Sequence, residues 1–105
     1  MSNLYILNGD REPVPVPDTQ TWAEWYATAD RRVALDTGHN YRLSTVFLAI
    51  SYGTVRGLPQ VFETMMFQVA GDGPDRTARY GTWDEALAGH ERIKSMIEFE
   101  RKNKP

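Results

Sequence analysis

The sequence predicts an α+β domain in the order β-α-β-β-β-β-α, an antiparallel sheet of about four to five strands with two amphipathic helices. Three observations predict it. Two segments carry apolar residues at i, i+3, i+4 and i+7, the spacing of one helix face. Between them, runs rich in β-branched and aromatic residues alternate with Gly, Pro, Asn and Asp clusters. The 105 residues, 41% hydrophobic and 25% charged, suit one compact globular domain. That domain is expected over residues 1–100, with 101–105 as a frayed tail.

Residues 4–7, Leu-Tyr-Ile-Leu, read as a short strand ended by the turn signal Asn8-Gly9-Asp10. The alternate prolines of residues 13–17 fix φ and remove ladder donors, so that piece is extended coil or at most an edge strand. Thr21 and Glu24 have capping-box spacing, and Trp22, Trp25, Tyr26 and Ala29 then share a helix face that ends near Arg31. Residues 33–35 predict a strand, 36–40 a hairpin loop and 41–52 a longer strand. A Gly/Pro loop at 53–59, a strand at 60–70, a turn at 71–75 and a strand around 77–80 complete a meander. Thr82 and Glu85 repeat the capping box, and Trp83, Ala86, Leu87, His90, Ile93 and Ile97 form the stripe of a C-terminal helix. The shared Thr-Trp-x-Glu openings of the two helices reflect capping chemistry rather than a repeat.

Composition excludes several chemistries. No cysteine is present, which removes disulfides, thiolate zinc sites and cysteine nucleophiles and fits a reducing cytoplasm. With 12 Lys+Arg against 14 Asp+Glu and a net charge of −2, no global field favours nucleic acid or an anionic membrane. No stretch approaches the roughly 20 apolar residues of a membrane span, and residues 1–10 lack the cationic and small-residue features of a signal peptide. No Gly-rich phosphate loop and no His-x-x-x-His occur, so neither a cofactor nor a metal is expected.

Both faces of the central strands carry apolar residues, which points either to helices on both sides or to self-association. The second reading assigns Leu43, Phe47, Met65 and Phe67 to an oligomer face and predicts a homo-oligomer, most simply a dimer. Glu63, set among apolar residues, needs a cation, with Arg42 or Arg79 as its expected partner. His39 reads as a solvated turn residue, and His90, on the apolar stripe, as a buried hydrogen-bonded histidine. A binding rim is expected from Arg31, Arg32, Arg42 and Arg79 with the aromatics Trp25, Tyr26 and Tyr80, because arginine's planar fork suits phosphate or carboxylate.

The blocks Thr21-Trp22-Ala23-Glu24-Trp25-Tyr26, Ala29-Asp30-Arg31-Arg32-Val33-Ala34, Ser44-Thr45-Val46-Phe47-Leu48, Phe62-Glu63-Thr64-Met65 and Thr82-Trp83-Asp84-Glu85-Ala86 through Gly89-His90 resemble a family of small, mostly uncharacterised bacteriophage and prophage proteins. The chain departs from that pattern at Ala49-Ile50-Ser51-Tyr52, where the family runs on through Gly and an Asp-His pair. The resemblance implies a phage-encoded binding protein acting in the host bacterial cytoplasm, in counter-defence or host takeover. Its expected partner is a host protein complex or a sequestered nucleotide signal. A phage structural or DNA-metabolism accessory protein and a small hydrolase are the alternatives.

Overall fold

The structure, a computed structural model, describes residues 3–68 and 74–102. Its elements are β1 (Tyr5–Leu7), β2 (Pro13–Pro15), α1 (Thr19–Thr28), β3 (Arg32–Gly38), β4 (Tyr41–Phe47), β5 (Thr54–Val55), β6 (Leu58–Pro59), β7 (Phe62–Gln68), β8 (Pro74–Tyr80) and α2 (Trp83–Lys102). The fold is α+β as predicted: β3-β4-β7-β8 form one antiparallel sheet, with β1-β2 and β5-β6 as two small hairpins. The predicted turn at 71–75 lies mostly outside the described residues, as do 103–105 of the expected tail, whereas Arg101 and Lys102 are helical.

Local chemistry explains the elements. Asn8 builds the first turn, its Oδ1 accepting from the amides of Asp10 and Glu12 at 2.9 Å each. The prolines of β2 are tolerated because the hairpin is an edge, and Val16 N closes it by donating to Leu4 O at 2.9 Å. The N-cap of α1 is Asp18, which accepts from the amides of Gln20 and Thr21. The helix therefore starts before the predicted Thr21 cap, and it ends at Thr28 because Ala29 is already extended. The second cap falls at Thr82 as predicted, with Glu85 N donating to Thr82 Oγ1 at 3.1 Å, while the Glu85 carboxylate accepts from the Thr82 hydroxyl at 3.1 Å and not from its amide.

Two strands differ from expectation. β3 runs on to Gly38, so Asp36 is a strand residue and not part of a hairpin loop. β4 stops at Phe47, because Ala49 adopts a left-handed φ of 66°, which breaks strand alternation. The Gly/Pro loop contains the β5-β6 hairpin, whose Arg56-Gly57 turn has φ 53° and 80°, the positive pair of a type I′ turn.

α1 packs on β1, and α2 packs on all four strands of the sheet. Gly89 brings α2 close to the sheet, since a Cβ there would stand 2.3 Å from the Tyr80 ring. The core has two parts. Phe47, Ala49, Val61, Phe62, Tyr80 and Ala86, flanked by Trp22, Trp25, Val33 and Trp83, make one; Tyr41, Leu43, Met66 and Ile97 make the other. No helix among the described residues is long and apolar enough to cross a membrane.

Candidate functional site

Strand register decides which side chains share the sheet face opposite α2. Thr37, Arg42 and Phe67 form one row, Leu35, Ser44, Met65 and Thr77 the next, and Arg32, Val46, Glu63 and Arg79 the third. Leu35, Val46, Met65 and Phe67 are half-buried, shielding one another across the strands, while Arg32, Arg42 and Arg79 are exposed. Arg79 Nε donates to Glu63 Oε2 at 2.8 Å, and its guanidinium lies 4.8 Å from the ring centroid of exposed Tyr52. Among the described residues, the one carboxylate on the face is thus already paired, and three guanidiniums stand on the face with it.

This geometry divides the residues predicted from sequence. Arg32, Arg42 and Arg79 share the open face, Arg32 and Arg79 on its two edge strands and Arg42 two rows away on β4, but Arg31 does not join them. Its Nη1 donates to Phe47 O at 3.2 Å and it stacks 4.1 Å from the Tyr26 ring, which ties α1 to β4. Trp25 packs edge-on to Phe47 at 5.7 Å, Tyr26 stacks on Trp22, and Tyr80 is buried under α2. The predicted oligomer face is corrected as well. Leu43 and Phe47 are fully buried on the helix side, whereas Met65 and Phe67 lie on the open side. The register pairs Leu43 with Met66 and Phe47 with Phe62, so the sets assigned to one face belong to opposite faces.

The densest polar chemistry lies between the two core clusters. His90 is fully buried; its Nε2 is 2.8 Å from Asp36 Oδ2, and its Nδ1 is 2.7 Å from Thr45 Oγ1, which in turn is 2.5 Å from Thr64 Oγ1. The Asp36 carboxylate at Nε2 can only accept, which assigns a ring proton there; with Nδ1 as the acceptor, Thr45 donates to it and Thr64 donates to Thr45. The hydrogen bond from His90 holds the Asp36 carboxyl below its ordinary range against a smaller opposing effect of burial, with Lys94 Nζ 3.3 Å away adding to it.

An Asp–His–Thr chain has the residue types of a nucleophilic triad, but its hydroxyl is sealed. Thr45 is 0% exposed and Thr64 1%, so no substrate carbonyl can approach the oxygen. Asp36, His90 and Glu91 bring ligand atoms within 4.8 Å of one another. The donor set fits a cation poorly: Lys94 stands against Asp36, and His90 Nε2 is already committed to the same carboxylate. The chain therefore acts as a polar belt that joins β3, β4, β7 and α2.

Sequence reasoning reached His90 and missed Asp36, Thr45 and Thr64. The available signal was alternation: Thr45 and Thr64 sit in phase with Leu43, Phe47, Phe62 and Met66, and a polar residue in a buried phase demands a partner.

Fold and site together define a small α+β protein with one sheet face covered by α2 and the other, among the described residues, left open, with arginines toward its margins and apolar side chains between them. Comparison of the chain with family models, with curated proteins and with solved structures finds no match to any of them.

Proposed function

We propose that this chain is a small binding protein, phage-encoded as its sequence resemblance implies, that docks an acidic surface of a host protein on its open sheet face. The observation that supports the reading is that Arg32, Arg42 and Arg79 share with Leu35, Val46, Met65 and Phe67 the face that α2 leaves uncovered. A centre of Leu35, Val46 and Met65 with a single aromatic, Phe67, favours a protein ridge over stacked bases, which would call for a row of flat aromatics. Charge complementarity supports an acidic partner over a second copy of the chain, because two such faces would oppose guanidinium to guanidinium. A counter-defence or host-takeover role fits this chemistry, since blocking a host complex requires a surface and no reaction.

The test places a photo-crosslinking residue at Ser44, central on the face, or at Thr28, on α1, in otherwise unchanged protein. It is paired with titration of an acidic Glu/Leu-alternating peptide. Ser44-crosslinked host protein and peptide-induced shifts at Met65 and Phe67, both weakened about tenfold or more by Arg42→Lys, support the reading. Equal crosslinking from both positions, or binding indifferent to Arg42→Lys, refutes it. Concentration-dependent mass doubling through Ser44 would give the face to a second copy.

A further inference from the structure

We infer that the protein has a second binding site, for a small organic anion, in the cavity beneath the C-terminal half of α2. The cavity lies on the helix-covered side of the sheet, so it is distinct from the open face. Its volume of about 670 Å³ is in the range of small-molecule sites. Met66 and Ile97, 5% and 2% exposed, supply an apolar floor. Among the described residues, the polar lining is two guanidiniums, Arg76 and Arg101, with the carboxamides of Gln68 and Asn40 and the carboxylate of Glu100.

The guanidiniums are held differently. Arg101 Nη1 donates to His39 O at 2.8 Å, and its group lies 4.9 Å from the Tyr41 ring centroid, which fixes the fork at the cavity wall. Arg76 directs only Nη2 at Glu100, at 2.6 and 2.8 Å from the two oxygens. Its Nη1 is buried and has no hydrogen-bond partner among the described residues. A buried guanidinium N–H without an acceptor is costly, and an incoming oxyanion supplies that acceptor. Glu100 meanwhile shows the kind of group Arg76 takes, a carboxylate presented from within the chain.

Two cations against one anion leave the lining attractive to a further negative charge. The ligand class follows: a phosphate or carboxylate that reaches Arg76 and Arg101, joined to an apolar body that covers Met66 and Ile97. The carboxamides of Gln68 and Asn40 can accept or donate to polar groups between those ends. Such a ligand displaces the Glu100 carboxylate from Arg76 or shares the guanidinium with it.

The test uses the full chain with phenyl phosphate, phenylacetate and neutral benzyl alcohol, followed through the side-chain N–H signals of Arg76, Arg101, Gln68 and Asn40. Saturable shifts with both anions and none with the alcohol are expected, and the ratio of the two affinities tells phosphate from carboxylate preference. Arg101→Gln should weaken binding about tenfold or more. Glu100→Gln, which removes the internal competitor, should tighten it several-fold, with melts showing that both variants remain folded. Lack of saturable shifts up to about 10 mM, or shifts unchanged in Arg101→Gln, overturns the inference. Arg42→Gln, on the opposite face, should leave probe binding intact, which separates this test from that of the docking face.

Discussion

Removing the Thr45 hydroxyl tests the polar belt directly. Thr45→Val keeps the volume and β-branching of the side chain but strips the atom shared by His90 Nδ1 at 2.7 Å and Thr64 Oγ1 at 2.5 Å. Both neighbours are sealed from water, so neither recovers a partner. Each orphaned group costs about 1–3 kcal/mol, and we expect roughly 3 kcal/mol in total. Thr64→Val removes the terminal donor and leaves Thr45 donating to His90, for about 1 kcal/mol. The double variant removes one of the orphans that Thr45→Val creates. It should therefore cost about 2 kcal/mol, below the roughly 4 expected if the effects were independent. Urea unfolding followed by tryptophan fluorescence measures all four proteins, and Thr45→Val should lower Tm by more than about 10 °C in a domain of this size. A loss below about 0.5 kcal/mol in Thr45→Val, or additivity across the cycle, would show that the belt is not a coupled hydrogen-bond chain.

Gly89→Ala should destabilise by about 1–3 kcal/mol although alanine is the better helix former, because its Cβ would strike the buried Tyr80 ring; a calorimetric Tm at or above wild type contradicts the close approach of α2. Acid should weaken what Asp36 contributes. Its folded pKa lies below 3.8, so its stabilisation is full above the unfolded value and is lost as pH falls through the folded one. The Tm gap between wild type and Asp36→Asn should accordingly be present at neutral pH and close in strong acid, and a gap that widens there rejects the assignment. Thr82→Ala, at the cap of α2, should cost about 1 kcal/mol by denaturant melt. Arg42→Lys should leave the melting curve unchanged, since its exposed guanidinium is offered to a partner and not to the fold.

The sequence disclosed what depends on short-range periodicity. Both helices, the meander and the Thr82 cap follow from spacing and turn chemistry, and an arginine partner for Glu63, Arg42 or Arg79, followed from the cost of a carboxylate among apolar neighbours, with Arg79 the one found. What it concealed depends on register between strands distant in sequence. One step of slip moves Met65 or Met66 beside Leu43, and nothing local distinguishes the two. Asp36 shows the same limit: beside Thr37-Gly38-His39-Asn40 it reads as a turn residue, and only pairing opposite Leu43 turns it toward His90. The rim of arginines was legible in part because three of the four lie in strands whose phases agree, while Arg31 follows a helix that ends three residues sooner than its pattern suggested.

The polar belt and the bare face are connected by the same strands. The sheet builds its core on one face, under α2 with α1 at one end, and that face is interrupted at its middle by two threonines and a histidine. Apolar burial alone tolerates shifts of a helix along a sheet, because hydrophobic contact is non-directional. The hydrogen bond that His90 donates to Asp36 on β3 and the one it accepts from Thr45 on β4, extended to Thr64 on β7, permit one position only. Fixing α2 in this way fixes the strand pairing beneath it, and strand pairing is what sets Arg32, Arg42 and Arg79 around the apolar centre on the far side. A binding face without a helix of its own is thereby held rigid through the sheet, which keeps low the ordering cost of docking. On this account Thr45→Val weakens partner binding beyond its effect on the folded fraction, because residual register freedom reaches the open face. Binding measured on fully folded Thr45→Val at low temperature separates the two, and an affinity equal to wild type would confine the belt to stability alone.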